Sequence, residues 1–135
     1  MSVQALLEHE YAVLLSHPLV RSVQVVRYIA NRLDGYIRAR CVLVNGDFLE
    51  IALHVSTDNG ATAAIDDYRY QWMDSTRTLL RRRWDNAPHF PDVAGAPHHC
   101  HVGSEEAVEP SQSMDLTHPL DLIASLIARS NAATP

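Results

Sequence analysis

The stretch that decides the fold is Tyr36-Ile37-Arg38-Ala39-Arg40-Cys41-Val42-Leu43-Val44, then Asn45-Gly46-Asp47, then Phe48-Leu49-Glu50-Ile51-Ala52-Leu53-His54-Val55. In the first part Ile37, Ala39, Cys41 and Leu43 alternate with Arg38 and Arg40. An extended chain sends successive side chains to opposite faces, so this alternation reads as a half-buried strand. Asn45-Gly46 is a preferred pair for a tight type I′ turn. The partner run buries Leu49, Ile51, Leu53 and Val55 in the same rhythm. The stretch therefore predicts an antiparallel hairpin with one apolar face.

Working outward, Asp58-Asn59-Gly60 makes the next turn. Ala63 to Met73 then alternates, with aromatics at Tyr68, Tyr70 and Trp72 that are expected to be exposed. Asp74-Ser75 turns the chain into a further strand, Thr78 to Trp84. Upstream, Asp34-Gly35 reads as a turn. Before it, Val23, Val25, Val26 and Ile29 are β-branched, which favours a strand over a helix in Ser22 to Ile29. Ser2 to Leu15 repeats Val3, Leu6, Leu7, Tyr11, Leu14 and Leu15 at helical spacing, with Ser2 as a cap and His17-Pro18 as a stop. A last helix runs from about Thr117, a cap with Pro119 in the first turn, to Arg129. Its stripe is Leu120, Ile123 and Ile127. The expected fold is α+β: an antiparallel meander of four or five strands, with an N-terminal and a C-terminal helix on one face. Residues 1–130 form one domain in this reading, and residues 131–135 a frayed tail.

The composition fits one ordinary globular core. The 135 residues are 47% hydrophobic and 20% charged. No apolar run is long enough to span a bilayer. Met1-Ser2-Val3-Gln4-Ala5 has no positive n-region, so no signal peptide is expected. Two cysteines, Cys41 and Cys100, are too few for a disulfide framework and predict free thiols in the cytoplasm. A net charge of −5 argues against a general nucleic-acid coat. Yet all 11 basic residues are arginine. Arg69, Arg77, Arg81, Arg82 and Arg83 crowd into the stretch before Trp84. Such a patch suits a phosphate-bearing ligand or an acidic partner. A solvated strand face is the plainer reading of it.

From Asp85 to about Leu116 periodicity stops, and prolines punctuate the chain. A connection this long is functional or disordered more often than it is mere linkage. It contains Trp84-Asp85-Asn86-Ala87-Pro88-His89-Phe90-Pro91 and Ala96-Pro97-His98-His99-Cys100-His101-Val102. Histidine titrates near neutrality, and prolines hold a loop with little entropy left to lose. His99 and His101 lie two apart, so in an extended segment both point to one side and Cys100 to the other. With His89 or Asp85 they make three candidate ligands for zinc or manganese. No CxxC and no helical HExxH accompanies them, so a site with no metal or other cofactor is the expectation. RNA cleavage through the 2′-hydroxyl needs a base, an acid and a phosphate-binding cation. Asp85, His89, His98, His99 and His101 are the candidates for acid–base work. Arg69, Arg81 and Arg83 are the candidates for phosphate, and Tyr70, Trp72 and Trp84 for stacking on RNA bases. The plainer alternative has these histidines capping turns and satisfying buried carbonyls.

Tyr68-Arg69-Tyr70-Gln71-Trp72, then Leu80 to His89, then Pro97-His98-His99-Cys100-His101-Val102-Gly103 resemble the TumE family. These are small prokaryotic proteins known as toxins of toxin–antitoxin pairs. The family pattern is a Y-x-Y-x-W/Y strand, an R-[WY]-D-N-A-P-H-H segment and a P-H-H-K-H-V segment. The hairpin Leu43 to Glu50 and the element Val108-Glu109-Pro110-Ser111 also match, so the resemblance runs from about Ser16 to Leu126. Phe90 and Cys100 depart from it, standing where the family has histidine and lysine. The resemblance implies a type II toxin whose partner is a helix-turn-helix, TumA-like antitoxin. By analogy with other small toxins it implies a metal-independent ribonuclease. RNA is then a second partner, no membrane is involved, and a homodimer is compatible with the chain. Two other classes stay open: a non-catalytic protein-interaction or structural module, and a metal-dependent hydrolase built on the His-rich loop.

Overall fold

The computed structural model describes residues 1–133, arranged as helix α1 (Val3–Ser16), seven strands and helix α2 (Thr117–Ala133). The strands are β1 (Val20–Ala30), β2 (Asp34–Leu43), β3 (Phe48–Ser56), β4 (Ala64–Met73), β5 (Leu80–Asp85), β6 (His99–Val102) and β7 (Val108–Pro110). They lie side by side in chain order, each antiparallel to the next. The α+β class and the meander are as expected, with seven strands rather than four or five. The two extra strands, β6 and β7, fall where the sequence reads as a loop. In His99-Cys100-His101-Val102 the alternation is between imidazole and apolar groups, and a hydrophobic pattern does not register imidazole as buried. Here both imidazoles are buried.

The deciding hairpin pairs Val42 with Phe48 and Ile37 with Leu53. Its turn differs from the expectation. Leu43 N–H donates to the Asp47 carbonyl, and Gly46, at φ +90°, takes a left-handed conformation that Asn45 does not share. A type I′ turn needs both central residues at positive φ, so this is the three-residue connection instead. Asp34-Gly35 is also not a turn. Both residues belong to β2, with Gly35 paired to Ala30. The chain reverses just before them, where Asn31 N–H donates to the Asp34 carbonyl.

One face of the sheet carries the core. Ile37, Ala39, Cys41, Leu43, Leu49, Ile51, Leu53, Val55, Tyr68, Tyr70, Trp72, Trp84 and Cys100 form one buried cluster with helix residues Val3, Leu7, Leu14, Leu120 and Ile123. Full burial of a leucine side chain contributes about 1.5–3 kcal/mol. Ser2 caps α1 by accepting from Ala5 N–H at 3.1 Å, and His17 ends it in extended backbone. At the start of α2, Asp115 rather than Thr117 supplies the side-chain oxygen, accepting from Thr117 N–H at 3.1 Å. That helix continues past Arg129 to Ala133, so residues 131–133 are helical. Residues 134 and 135 of the expected tail lie outside the described residues. Among the described residues no helix is long and apolar enough to cross a membrane.

The opposite face is polar, and its cross-strand register is what builds the site. Arg27, Arg38, Ala52, Arg69, Asp85 and His99 stand directly beside one another on β1 to β6. The adjacent row runs Gln24, Arg40, Glu50, Gln71, Arg83 and His101.

Candidate functional site

Asp85 ends β5, and His99 and His101 lie on β6 directly opposite Asp85 and Arg83. Three side chains from the two rows therefore converge. His99 Nε2 is 3.0 Å from Asp85 Oδ1, and His101 Nε2 is 3.7 Å from Asp85 Oδ2. The two Nε2 atoms are 3.1 Å apart. All three residues are buried. Each ring is held from behind by a backbone carbonyl. His99 Nδ1 sits 2.9 Å from the Pro97 oxygen, and His101 Nδ1 sits 2.8 Å from the Glu105 oxygen. A carbonyl only accepts, so each Nδ1 carries a proton, and each Nε2 points inward to Asp85. Phe90 packs its ring against both imidazoles, with centroids 4.9 Å from His99 and 5.5 Å from His101.

The cluster forms one wall of an open cavity of about 560 Å³, whose other walls include Tyr36, His54, Arg69, Arg83, His89 and Glu105. Arg83 is anchored to the cluster: its Nε is 3.2 Å from Asp85 Oδ2, and its Nη1 donates to Glu105 Oε1 at 2.6 Å. This pairing lowers the Glu105 pKa and raises that of Arg83. Arg69 is exposed at the cavity and donates to Gln71 at 2.8 Å. On β3, His54 has its pKa raised by the Asp66 carboxylate, 2.6 Å from its Nδ1, with Asp34 adding to the effect.

The structure thus brings Asp85, His99 and His101 together, with His89, Arg69 and Arg83 around the same cavity. It separates others from them. His98 turns to the helix side, where its Nδ1 meets the Tyr68 hydroxyl at 2.8 Å and its ring stacks on Tyr68. Arg81 pairs with buried Asp47 at 2.9 Å, away from the cavity. Arg77 lies over the Phe48 ring, and Arg82 faces Cys100. The arginine run is therefore not a single patch: Arg82 and Arg83 leave on opposite faces of the strand, and Arg81 sits at a register shift in the β4–β5 pairing.

The aromatic strand is a further correction. Tyr68, Tyr70, Trp72 and Trp84 are buried. They sit on the helix side of the sheet, where Tyr70 donates its hydroxyl proton to the Met114 carbonyl and Trp72 its indole proton to Asp47. None of them offers a face to a nucleic-acid base. Cys41 and Cys100 are free thiols whose burial pushes their pKa values up to about 12 and about 11. Neither is a nucleophile near neutral pH.

The sequence reading misses Tyr36, His54 and Glu105 as cavity residues. The signal for the first two is the register: Tyr36 and His54 are cross-strand partners in the deciding hairpin. Glu105 arrives from the turn after β6, and no local pattern marks it.

Against known proteins, neither a curated protein nor a solved structure matches the chain. The family described as Toxin TumE matches residues 10–131. That span takes in the whole sheet, the cluster and nearly all of α2, and the chain belongs to the TumE toxin family.

Proposed function

We propose that the protein is the toxin of a cytoplasmic toxin–antitoxin pair and cleaves RNA at the Asp85–His99–His101 cluster. The observation that carries this reading is the row in which Asp85 and His99 continue through Arg69 to Arg38 and Arg27. A reactive cluster at one end and guanidinium groups along the rest suit a polyanionic strand laid across the open face. In such a cleavage the 2′-oxygen forms a bond to phosphorus as its proton passes to the Asp85–His99–His101 cluster, and the phosphorus–O5′ bond breaks. The 5′-oxygen then takes up a proton, so no co-reactant is needed. In this reading His89, exposed at the cavity rim, supplies that proton. Arg69 is the exposed cation beside the cluster. The two Nε2 atoms are too close for a phosphate to sit between them. His99 and His101 therefore act as one unit with Asp85 rather than as a separated acid and base. The antitoxin, a helix-turn-helix protein on the family pattern, covers this face or blocks its access.

The test is expression without the partner gene, alongside incubation of the purified chain with RNA. Growth arrest and cleavage are expected for the natural chain, and both are lost in His101→Gln and Arg69→Ala. Normal growth with intact RNA would overturn the reading. Burial of the cluster favours a second reading, a non-catalytic clasp that ties β5 to β6. It predicts that His101→Gln lowers Tm and leaves every activity unchanged.

A further inference from the structure

We infer that Asp85, His99 and His101 form a binding site for one divalent transition-metal ion of the zinc or manganese kind. The case begins with hydrogen bonding. Both imidazoles spend their Nδ1 protons on the carbonyls of Pro97 and Glu105. Two inward-facing Nε2 atoms and a carboxylate are then left converging in a buried place. Within this triangle of side chains His99 Nε2 stands 3.0 Å from Asp85 Oδ1, His101 Nε2 3.7 Å from Oδ2, and the two Nε2 atoms 3.1 Å apart, while Oδ1 also accepts from Ala87 N–H at 3.0 Å. Three metal-ligating groups crowded this closely in a buried place suit a positive centre among them. Arg83 reaches only the outer carboxylate oxygen, Oδ2, at 3.2 Å.

The dimensions fit a metal ion. Ligands about 2.0–2.1 Å from a tetrahedral zinc ion stand about 3.3–3.4 Å from one another. The observed separations, which reach two different oxygens of Asp85, bracket that value. All three ligand atoms fall within 4.8 Å of one another, and this is the one such group found among the described residues. The surroundings fit as well. Histidines that bind metals direct the other ring nitrogen to a carbonyl or carboxylate, which fixes the tautomer and raises ligand basicity. Both rings here are held in that way. Two imidazoles and one carboxylate suit zinc, manganese or iron and are poor for calcium. Three protein ligands leave coordination positions open, as catalytic rather than structural ions require. The open side is the cavity, where Arg69 stands. The bound ion would take a water or a phosphate oxygen there.

Metal binding does not rest on the RNA reading, and the two can be tested apart. The untagged full-length chain is stripped with chelator, checked for folding by circular dichroism, and titrated with Zn²⁺ and Mn²⁺ by calorimetry, with Ca²⁺ as control. Uptake of about one ion per chain is expected, with a Tm rise of several degrees, and at least a tenfold loss of affinity in Asp85→Asn and His101→Gln. His118→Gln, remote from the cluster, should bind as the natural chain does. Co²⁺ substitution gives an independent readout, a visible absorption band that disappears in the same variants. A folded natural chain that takes up no metal, or variants that bind as tightly as it does, would overturn the site; a proton shared between the two rings then fills the triangle. Metal uptake without RNA cleavage sinks the RNA reading alone. Cleavage that persists in excess chelator sinks the metal as its cofactor.

Discussion

Glu10 carries its carboxylate into the core side of the molecule, where Oε1 accepts from Leu116 N–H at 3.2 Å. Burial raises its pKa above the ordinary 4.5, the Leu116 bond pulls it back, Asp115 raises it, and His9 and His118 lower it. The sign follows from proton counting. Just above pH 4.5 the folded chain keeps a proton that the unfolded chain has released. Stability therefore falls as pH rises through the window between that value and the raised folded pKa, and the full cost is present above that folded pKa. Glu10→Gln keeps an acceptor for Leu116 and removes the charge. Its Tm should exceed that of the natural chain at about pH 7, and the difference should vanish below about pH 4. A lower Tm at neutral pH would show that the Leu116 bond outweighs desolvation. The same scale separates the histidines. His98, His99 and His101 are neighbours in sequence, but only tertiary packing sends His98 to Tyr68 and the other two to Asp85. The sequence did announce that His99 and His101 share a side and that Cys100 opposes them, because strand geometry alone fixes that.

At the scale of elements, α1 lies across β2 at Gly35. A Cβ placed there would stand 2.7 Å from Leu7 Cδ1 and Val3 Cγ1, and 2.8 Å from the Ile29 carbonyl oxygen. The glycine is needed for this close approach of helix and strand rather than for a turn. Gly35→Ala should cost about 1–3 kcal/mol by forcing the helix outward, measured as a lower denaturant midpoint with an unchanged slope. No loss of stability would mean that α1 is loosely seated. The hairpins were readable because apolar and polar residues alternate in them and turn residues sit between. The last two strands were not. They are only four and three residues long, and imidazoles fill the face that sequence patterns score as polar. A short strand added to an existing sheet edge takes its conformation from the ladder it joins, so little local signal is required of it.

For the whole molecule, the sequential antiparallel order turns sequence register into rows across the sheet. One row carries Arg27, Arg38 and Arg69 toward Asp85 and His99. Arg38 is partly neutralised by Glu50 at 3.0 Å, which leaves Arg27 and Arg69 as the exposed cations of the row. If RNA lies along it, the Arg27→Ala/Arg69→Ala double variant should bind single-stranded RNA more weakly. Each lost phosphate contact should lower the slope of log K against log salt by about 0.7, so about 1.4 for the pair. An unchanged slope would remove the row from the binding surface. The sequence by itself determined the α+β class, the central hairpin, the apolar face and the segment that holds the clustered histidines. These follow from local rules: period two, turn residues, caps, and the spacing of His99 and His101. Only the tertiary structure decided that Asp85 closes on those histidines, that Arg69 rather than Arg81 accompanies them, and that the aromatic strand faces inward. Those are questions of which face packs against the helices, and a face is chosen by the burial of the whole sheet at once.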